Sequence, residues 1–100
     1  NTTTADWELS APAGDVAFAR RYLDVEGGAD FTRRFIRAAL ASVSDTAVIP
    51  MPDWLGLGAE ARINTPSTLG GNWLWRMDPA ALTDALAADI LALTKLYGRC

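Results

Sequence analysis

Thr46-Ala47-Val48-Ile49-Pro50-Met51 is a short, nearly continuous apolar run that contains β-branched residues. That is the pattern of a strand buried on both faces, which occurs in parallel sheets covered by helices. Pro50 is expected at the end of the strand, because proline cannot donate to a central ladder. A lone strand leaves its backbone donors and acceptors unpaired, and burying them in that state is costly. No second run of this character occurs in the 100 residues. The physical expectation is therefore a piece of a larger α/β protein, whose other strands lie outside this chain.

Working outward, helical periodicity dominates both flanks. From Asp15 the apolar positions Val16, Ala19, Tyr22 and Leu23 share one face, and Gly27-Gly28 marks the end of that helix. Asp30 is the expected N-cap of a second helix, whose buried face holds Phe31, Phe35, Ile36, Ala39, Leu40 and Val43. Arg20, Arg21, Arg33, Arg34 and Arg37 read as solvated helix sides. Residues 1–7 are Thr-rich, polar and aperiodic, and read as loop. Beyond the apolar run, residues 52–57 fit a short helical turn capped by Asp53. Asp78 and Pro79 form an N-cap and N1 pair for a third helix over residues 79–97, with Leu82, Leu86, Ile90, Leu93 and Tyr97 along one stripe and Gly98 as the stop. The order is helix, helix, buried strand, loop, helix.

Bulk composition narrows the function classes. Half the residues are hydrophobic and 21% are charged, which is globular composition. A net charge of -3 argues against a nucleic-acid partner, which usually needs a basic face. No apolar run approaches the roughly 20 residues that cross a bilayer, so no membrane partner is expected. Cys100 has no second thiol for a disulfide and there is no histidine, so neither a zinc site nor a cofactor is expected and a reducing, cytoplasmic setting fits. The chain begins at Asn1 rather than Met, which points to a missing upstream part.

The stretch from Gly56 to Arg76 is too rich in aromatics for a linker and too rich in Gly, Pro and Asn for a regular element. Ordered loops of this length are uncommon unless functional. Its text, Gly56-Leu57-Gly58-Ala59-Glu60-Ala61-Arg62-Ile63-Asn64-Thr65-Pro66-Ser67-Thr68, then Gly71-Asn72-Trp73-Leu74-Trp75-Arg76, resembles the C-terminal loop of the 4-alpha-glucanotransferases of glycoside hydrolase family 77, also called amylomaltases or disproportionating enzymes. The family pattern there runs Leu-Gly-Leu-Gly, then Ala-Arg-Met-Asn-Thr-Pro-Gly-Thr, then Gly-Asn-Trp-x-Trp-Arg. The resemblance extends through essentially the whole chain, weakly over residues 8–30 and strongly over residues 31–76. Two departures are Ser67, where the family usually has Gly, and Pro52, where it usually has Gln.

The resemblance implies an α/β fold, the C-terminal fragment of an eight-stranded (β/α) barrel, with residues 47–51 as the eighth strand and residues 79–97 as the closing helix. Residues 1–100 would then be an incomplete domain whose partner is the rest of the same barrel. Asn1-Thr2-Thr3-Thr4 is similar to the family text after its His-Asp pair, which implies a start one residue after the third catalytic carboxylate. The implied activity is transfer of α-1,4-glucan segments between maltooligosaccharides, starch or glycogen, with retention at the anomeric carbon. Retaining chemistry needs a carboxylate nucleophile and a carboxylic acid about 5 Å apart. In the family both lie upstream, so this chain is expected to supply no catalytic residue. Asp53 reads as a helix cap, and Asp6 and Glu60 as solvated or paired with arginine.

The substrate-contact candidates are Asn64, Asn1, Trp7 and Pro66. An asparagine amide both donates to and accepts from sugar hydroxyls, and Pro66 stiffens the loop that presents Asn64. The bland reading of Asn64 is an Asx-turn to its own backbone. Asn1 and Trp7 fall near the same barrel mouth, because Asn1 follows the seventh strand as Asn64 follows the eighth. Trp54, Trp73 and Trp75 invite a sugar-stacking reading, but Trp73 and Trp75 fit better as loop anchors held by buried area, with Arg76 as a structural ion-pair partner. The competing class is a small non-catalytic helical module that binds carbohydrate or a protein.

Overall fold

Thr3 opens the first helix: its hydroxyl accepts the Asp6 N–H at 3.2 Å, and Asp6 sits in the first turn where a carboxylate complements the helix dipole. The computed structural model describes residues 2–62 and 74–100. In it, α1 spans Thr4–Ser10, where the polar, aperiodic text suggested loop. Seven residues are too few for an apolar stripe to show and too few to be stable alone, so this helix depends on tertiary contacts.

The second helix, α2, spans Ala13–Leu23 and buries Val16 and Leu23, while Tyr22 is exposed. It ends earlier than the Gly27-Gly28 pair, at Asp24, which takes the left-handed conformation that Asp tolerates better than most residues. The pair instead forms the turn into α3, Ala29–Ala41. Gly28 occupies the N-cap of α3 and Asp30 lies in its first turn, so Asp30 complements the dipole without capping. Phe31, Ile36 and Leu40 are buried as expected, whereas Phe35 is part exposed and Val43, past the helix end, is fully exposed.

Among the described residues there is no strand. Residues 46–50 form no regular element, and the buried eighth strand expected there is not formed. The reason is the one the sequence raised: a strand exists only as part of a ladder, and this chain offers no second stave. The segment still alternates. Ala47 and Ile49 pack on the cluster of Ile36, Leu40 and Leu93, while Val48 between them is 82% exposed. Residues two apart sharing a face is the periodicity of extended backbone.

A four-residue helix, α4, covers Met51–Trp54, with Pro50 at its N-cap and Pro52 buried. A 3₁₀ turn follows at Ala59–Ala61. The single helix expected over residues 79–97 is broken in two. Asp78 caps only a 3₁₀ turn, Pro79–Ala81. Thr83 then caps α5, Asp84–Leu96, through the Leu86 N–H at 3.1 Å. Leu82, in the break, is exposed, and Leu93 carries the buried contact of α5.

Polar contacts complete the packing of α3 on α5. The Arg33 guanidinium donates twice to the Asp89 carboxylate, at 2.6 and 2.7 Å, and Arg37 donates to the Tyr97 hydroxyl at 2.9 Å. Arg99, just past Gly98, donates to the carbonyls of Leu40, Ser44, Ser42 and Asp45 at 2.8, 2.9, 3.2 and 3.4 Å. Carbonyls at and beyond a helix C-terminus lack intrahelical partners, and one guanidinium satisfies four of them here.

Candidate functional site

The site is built around α1, because that helix lies next to Asn1 in sequence and is pinned to residues 53–62, which precede Asn64. Asp53 of α4 makes the first pin. Its Oδ1 accepts the Thr4 N–H at 2.9 Å and its Oδ2 accepts the Thr4 hydroxyl at 2.7 Å. Asp53 was expected to cap the helical turn it belongs to, but Pro50 occupies that N-cap and the carboxylate serves α1 instead. Arg62 makes the second pin, an ion pair with Asp6 at 3.5 Å. The Thr2 hydroxyl also donates to Asp6. Pairing of Asp6 with arginine agrees with the sequence reading, and exposed Glu60 accepts the Gly58 N–H at 3.0 Å.

The rest of α1 is anchored on its other side. The Trp7 ring stacks on Phe31 with centroids 6.1 Å apart and meets Phe35 edge-on at 6.4 Å. Glu8 is buried, takes Arg20 as an ion-pair partner at 3.2 Å and accepts the Gly28 N–H at 3.3 Å. Thr3 and Ala61, neighbours in sequence of Thr4 and Arg62, are buried at 4% and 1% exposure. No buried side-chain polar atom among the described residues lacks a partner. Two carboxylates, Asp6 and Asp53, are thus occupied in holding backbone and arginine, and the arrangement positions chain segments rather than presenting a free acid or base.

Of the residues singled out in the sequence, Trp7 is described, half buried and ring-stacked; Asn1, Asn64, Pro66 and Trp73 lie outside the described residues. Trp54 packs against the core of α3 and α5. Trp75 borders a cavity of about 360 Å³ with Leu55, Leu57, Met77 and Ala81, and Arg76 donates to the Trp75 carbonyl at 3.0 Å. Sequence reasoning missed Thr4 and Glu8. Their partners lie 49 and between 12 and 20 residues away, so no local spacing could have revealed them.

Comparison with known proteins places the chain in one family. Residues 1–83 match the profile of the glycoside hydrolase 77 family, described as 4-alpha-glucanotransferase. The chain belongs to that family. It is 39% identical over 102 residues to a chloroplastic/amyloplastic 4-alpha-glucanotransferase of Arabidopsis thaliana, covering 99% of this chain and 18% of that protein. Identity is also 39% over 101 residues to the 4-alpha-glucanotransferase of Clostridium butyricum, covering 100% and 21%. The fold superimposes on the amylomaltase from Streptococcus agalactiae in complex with acarbose, with a TM-score of 0.88 at 32% identity, covering 99% of this chain and 20% of that one. The chain therefore spans about a fifth of the length of the relatives it matches.

Proposed function

We propose that residues 1–100 are the C-terminal part of the (β/α) barrel of a 4-alpha-glucanotransferase, an incomplete domain that works with the rest of the same barrel. One observation carries this reading: Val48 is 82% exposed while Ala47 and Ile49 on either side pack on the core. An extended segment with one apolar face covered and the other bare is what remains of a barrel strand when its neighbours are absent. In this reading residues 47–50 take the place of the eighth strand, which ends one residue before the expected bound because Met51 opens α4, and Val48 turns towards the barrel interior.

The substrate is an α-1,4-glucan such as a maltooligosaccharide, starch or glycogen; a related structure holds acarbose, which supports an oligosaccharide ligand. A carboxylate attacks the anomeric carbon as a carboxylic acid protonates the leaving glucan oxygen. The 4-hydroxyl of a second glucan then attacks the same carbon, gives its proton to the carboxylate that had acted as acid, and releases the enzyme's nucleophilic carboxylate with net retention. Neither group belongs to this chain. Its part is to bind: Asn64 and Asn1 hydrogen-bond sugar hydroxyls, Pro66 limits the loop that carries Asn64, and Trp7 contributes an aromatic edge at the mouth. The cytoplasm is the proposed compartment, although the name of the Arabidopsis relative assigns that protein to plastids. Among the described residues no helix is long and apolar enough to cross a membrane.

Incubation with maltotriose tests this. The protein with its complete barrel should release glucose and form longer oligomers, whereas residues 1–100 alone should do neither. Transfer by the isolated chain would overturn the assignment of both catalytic carboxylates to another segment.

A further inference from the structure

We propose that Thr4, Asp6, Asp53 and Arg62 form a brace that positions the glucan-contacting segments of this chain without touching the glucan. The inference rests on the reading above, in which Asn1 and Asn64 serve one substrate. Thr4 stands three positions after Asn1, and Arg62 two positions before Asn64. The brace therefore ties together residues that lie close in sequence to both proposed glucan contacts.

The geometry suits positioning. Both oxygens of Asp53 are used on one residue, Thr4, at 2.9 Å to its N–H and 2.7 Å to its hydroxyl. A two-point contact fixes direction as well as distance. Asp53 is itself immobilised: its N–H donates to the Pro50 carbonyl at 3.0 Å, Pro52 before it is buried, and Trp54 after it packs on the core. The second tie, Asp6 to Arg62 at 3.5 Å, lies within the first turn of α1, where Thr3 and Thr2 also hold Asp6. Two cross-links at separated points prevent α1 from pivoting on the segment of residues 51–62. Misplacement of a substrate-positioning residue by about 1 Å can cost on the order of 100-fold in rate.

The test uses the complete enzyme, with maltotriose as substrate and kcat, KM and Tm read for each variant. Asp53→Ala should lower kcat by about 10- to 100-fold per folded molecule, with KM changed much less. Asp53→Asn should recover most of that loss, since its amide keeps an acceptor for the Thr4 N–H and gains a donor for the Thr4 hydroxyl. Thr4→Val, which deletes one contact and leaves Asp53 in place, should fall between wild type and Asp53→Ala; the double variant should be no worse than Asp53→Ala alone. If Asp53→Ala does not fold, Thr4→Val carries the test. A lowered Tm with kcat unchanged, or an Asp53→Asn no better than Asp53→Ala, overturns the brace. A wild-type enzyme that leaves maltotriose untouched removes the functional reading and the brace with it, whereas an active wild type with indifferent variants removes the brace alone.

Discussion

The two halves of α3 are attached to the molecule by different means. Its N-terminal half meets α1 through three aromatic rings and through Glu8, a buried carboxylate that accepts from Arg20 and from the N–H of Gly28 at the head of the helix. Its C-terminal half meets α5 through Ile36, Leu40 and Leu93, with Arg37 donating to the Tyr97 hydroxyl beside that core, while Arg33, three residues before Ile36, pairs with Asp89 outside it. Apolar packing tolerates small rearrangements, because any filling of similar volume restores most of its free energy. A buried carboxylate does not, because each donor it leaves becomes an unpaired group. The N-terminal half is thus the one held by a buried carboxylate, whereas the hydrogen bonds on the α5 side, Arg33 to Asp89, Arg37 to Tyr97 and Arg99 to the Leu40 carbonyl, involve no buried charged side chain.

The largest effect is expected in the apolar half. Leu93→Ala removes the one buried side chain that α5 gives to the core, and should cost about 3 kcal/mol of stability, measured by urea unfolding. A much smaller loss would mean that α5 is held mainly by its polar contacts, and the contrast between the halves would collapse. Next comes Gly27→Ala in the turn between α2 and α3. Gly27 has φ of 139°, outside the range of L side chains, and a Cβ there would stand 2.7 Å from Glu8 Oε2. The substitution should cost about 2 kcal/mol, partly as backbone strain and partly by displacing Glu8 from Arg20 and Gly28. Measured in a Glu8→Ala background, its cost should shrink, because the clash is gone and only strain remains. Equal costs in the two backgrounds would show that the carboxylate does not hold this half.

The legible part of this molecule was the part with period. Val16 and Leu23, then Phe31, Ile36 and Leu40, then Leu93 were all readable as buried positions from helical spacing alone. What escaped was of two kinds. Helix α1 and the break at Leu82 turn on single hydroxyls, Thr3 and Thr83, whose capping role competes with many other uses of threonine. The partners of Asp53, Asp6 and Glu8 come from distant chain segments and carry no local signal. The strand over residues 47–51 is a third case. The apolar run was legible, but it read as buried on both faces, whereas only Ala47 and Ile49 are covered and Val48 is exposed; a ladder and a cover for the second face depend on neighbours that this chain does not supply. As for the site, Trp7 could be followed into a ring cluster, while Asn1, Asn64 and Pro66 lie outside the described residues.

The smallest effect belongs to the Arg33–Asp89 pair, and it sharpens the contrast from the other side. The two guanidinium hydrogen bonds hold the Asp89 carboxyl below its ordinary range; burial opposes them, and a coulombic contribution from the same arginine, smaller than either, adds to the lowering. A carboxyl whose folded pKa is depressed stabilises the fold above its unfolded pKa, near 4, and loses that contribution as pH falls through the folded value. Arg33 is shifted upward by the same bonds and stays charged throughout, so it adds no pH dependence of its own in that window. Both side chains are more than a third exposed, at 47% and 37%, so solvent screening should limit the pair to under about 1 kcal/mol. Asp89→Asn should therefore lower Tm by no more than about 4 °C at pH 7. It should also flatten the acid limb of the stability curve below about pH 4 and remove some of its salt sensitivity. A loss as large as that of Leu93→Ala would place the attachment of α5 in this ion pair, and the apolar core would become the lesser of the two.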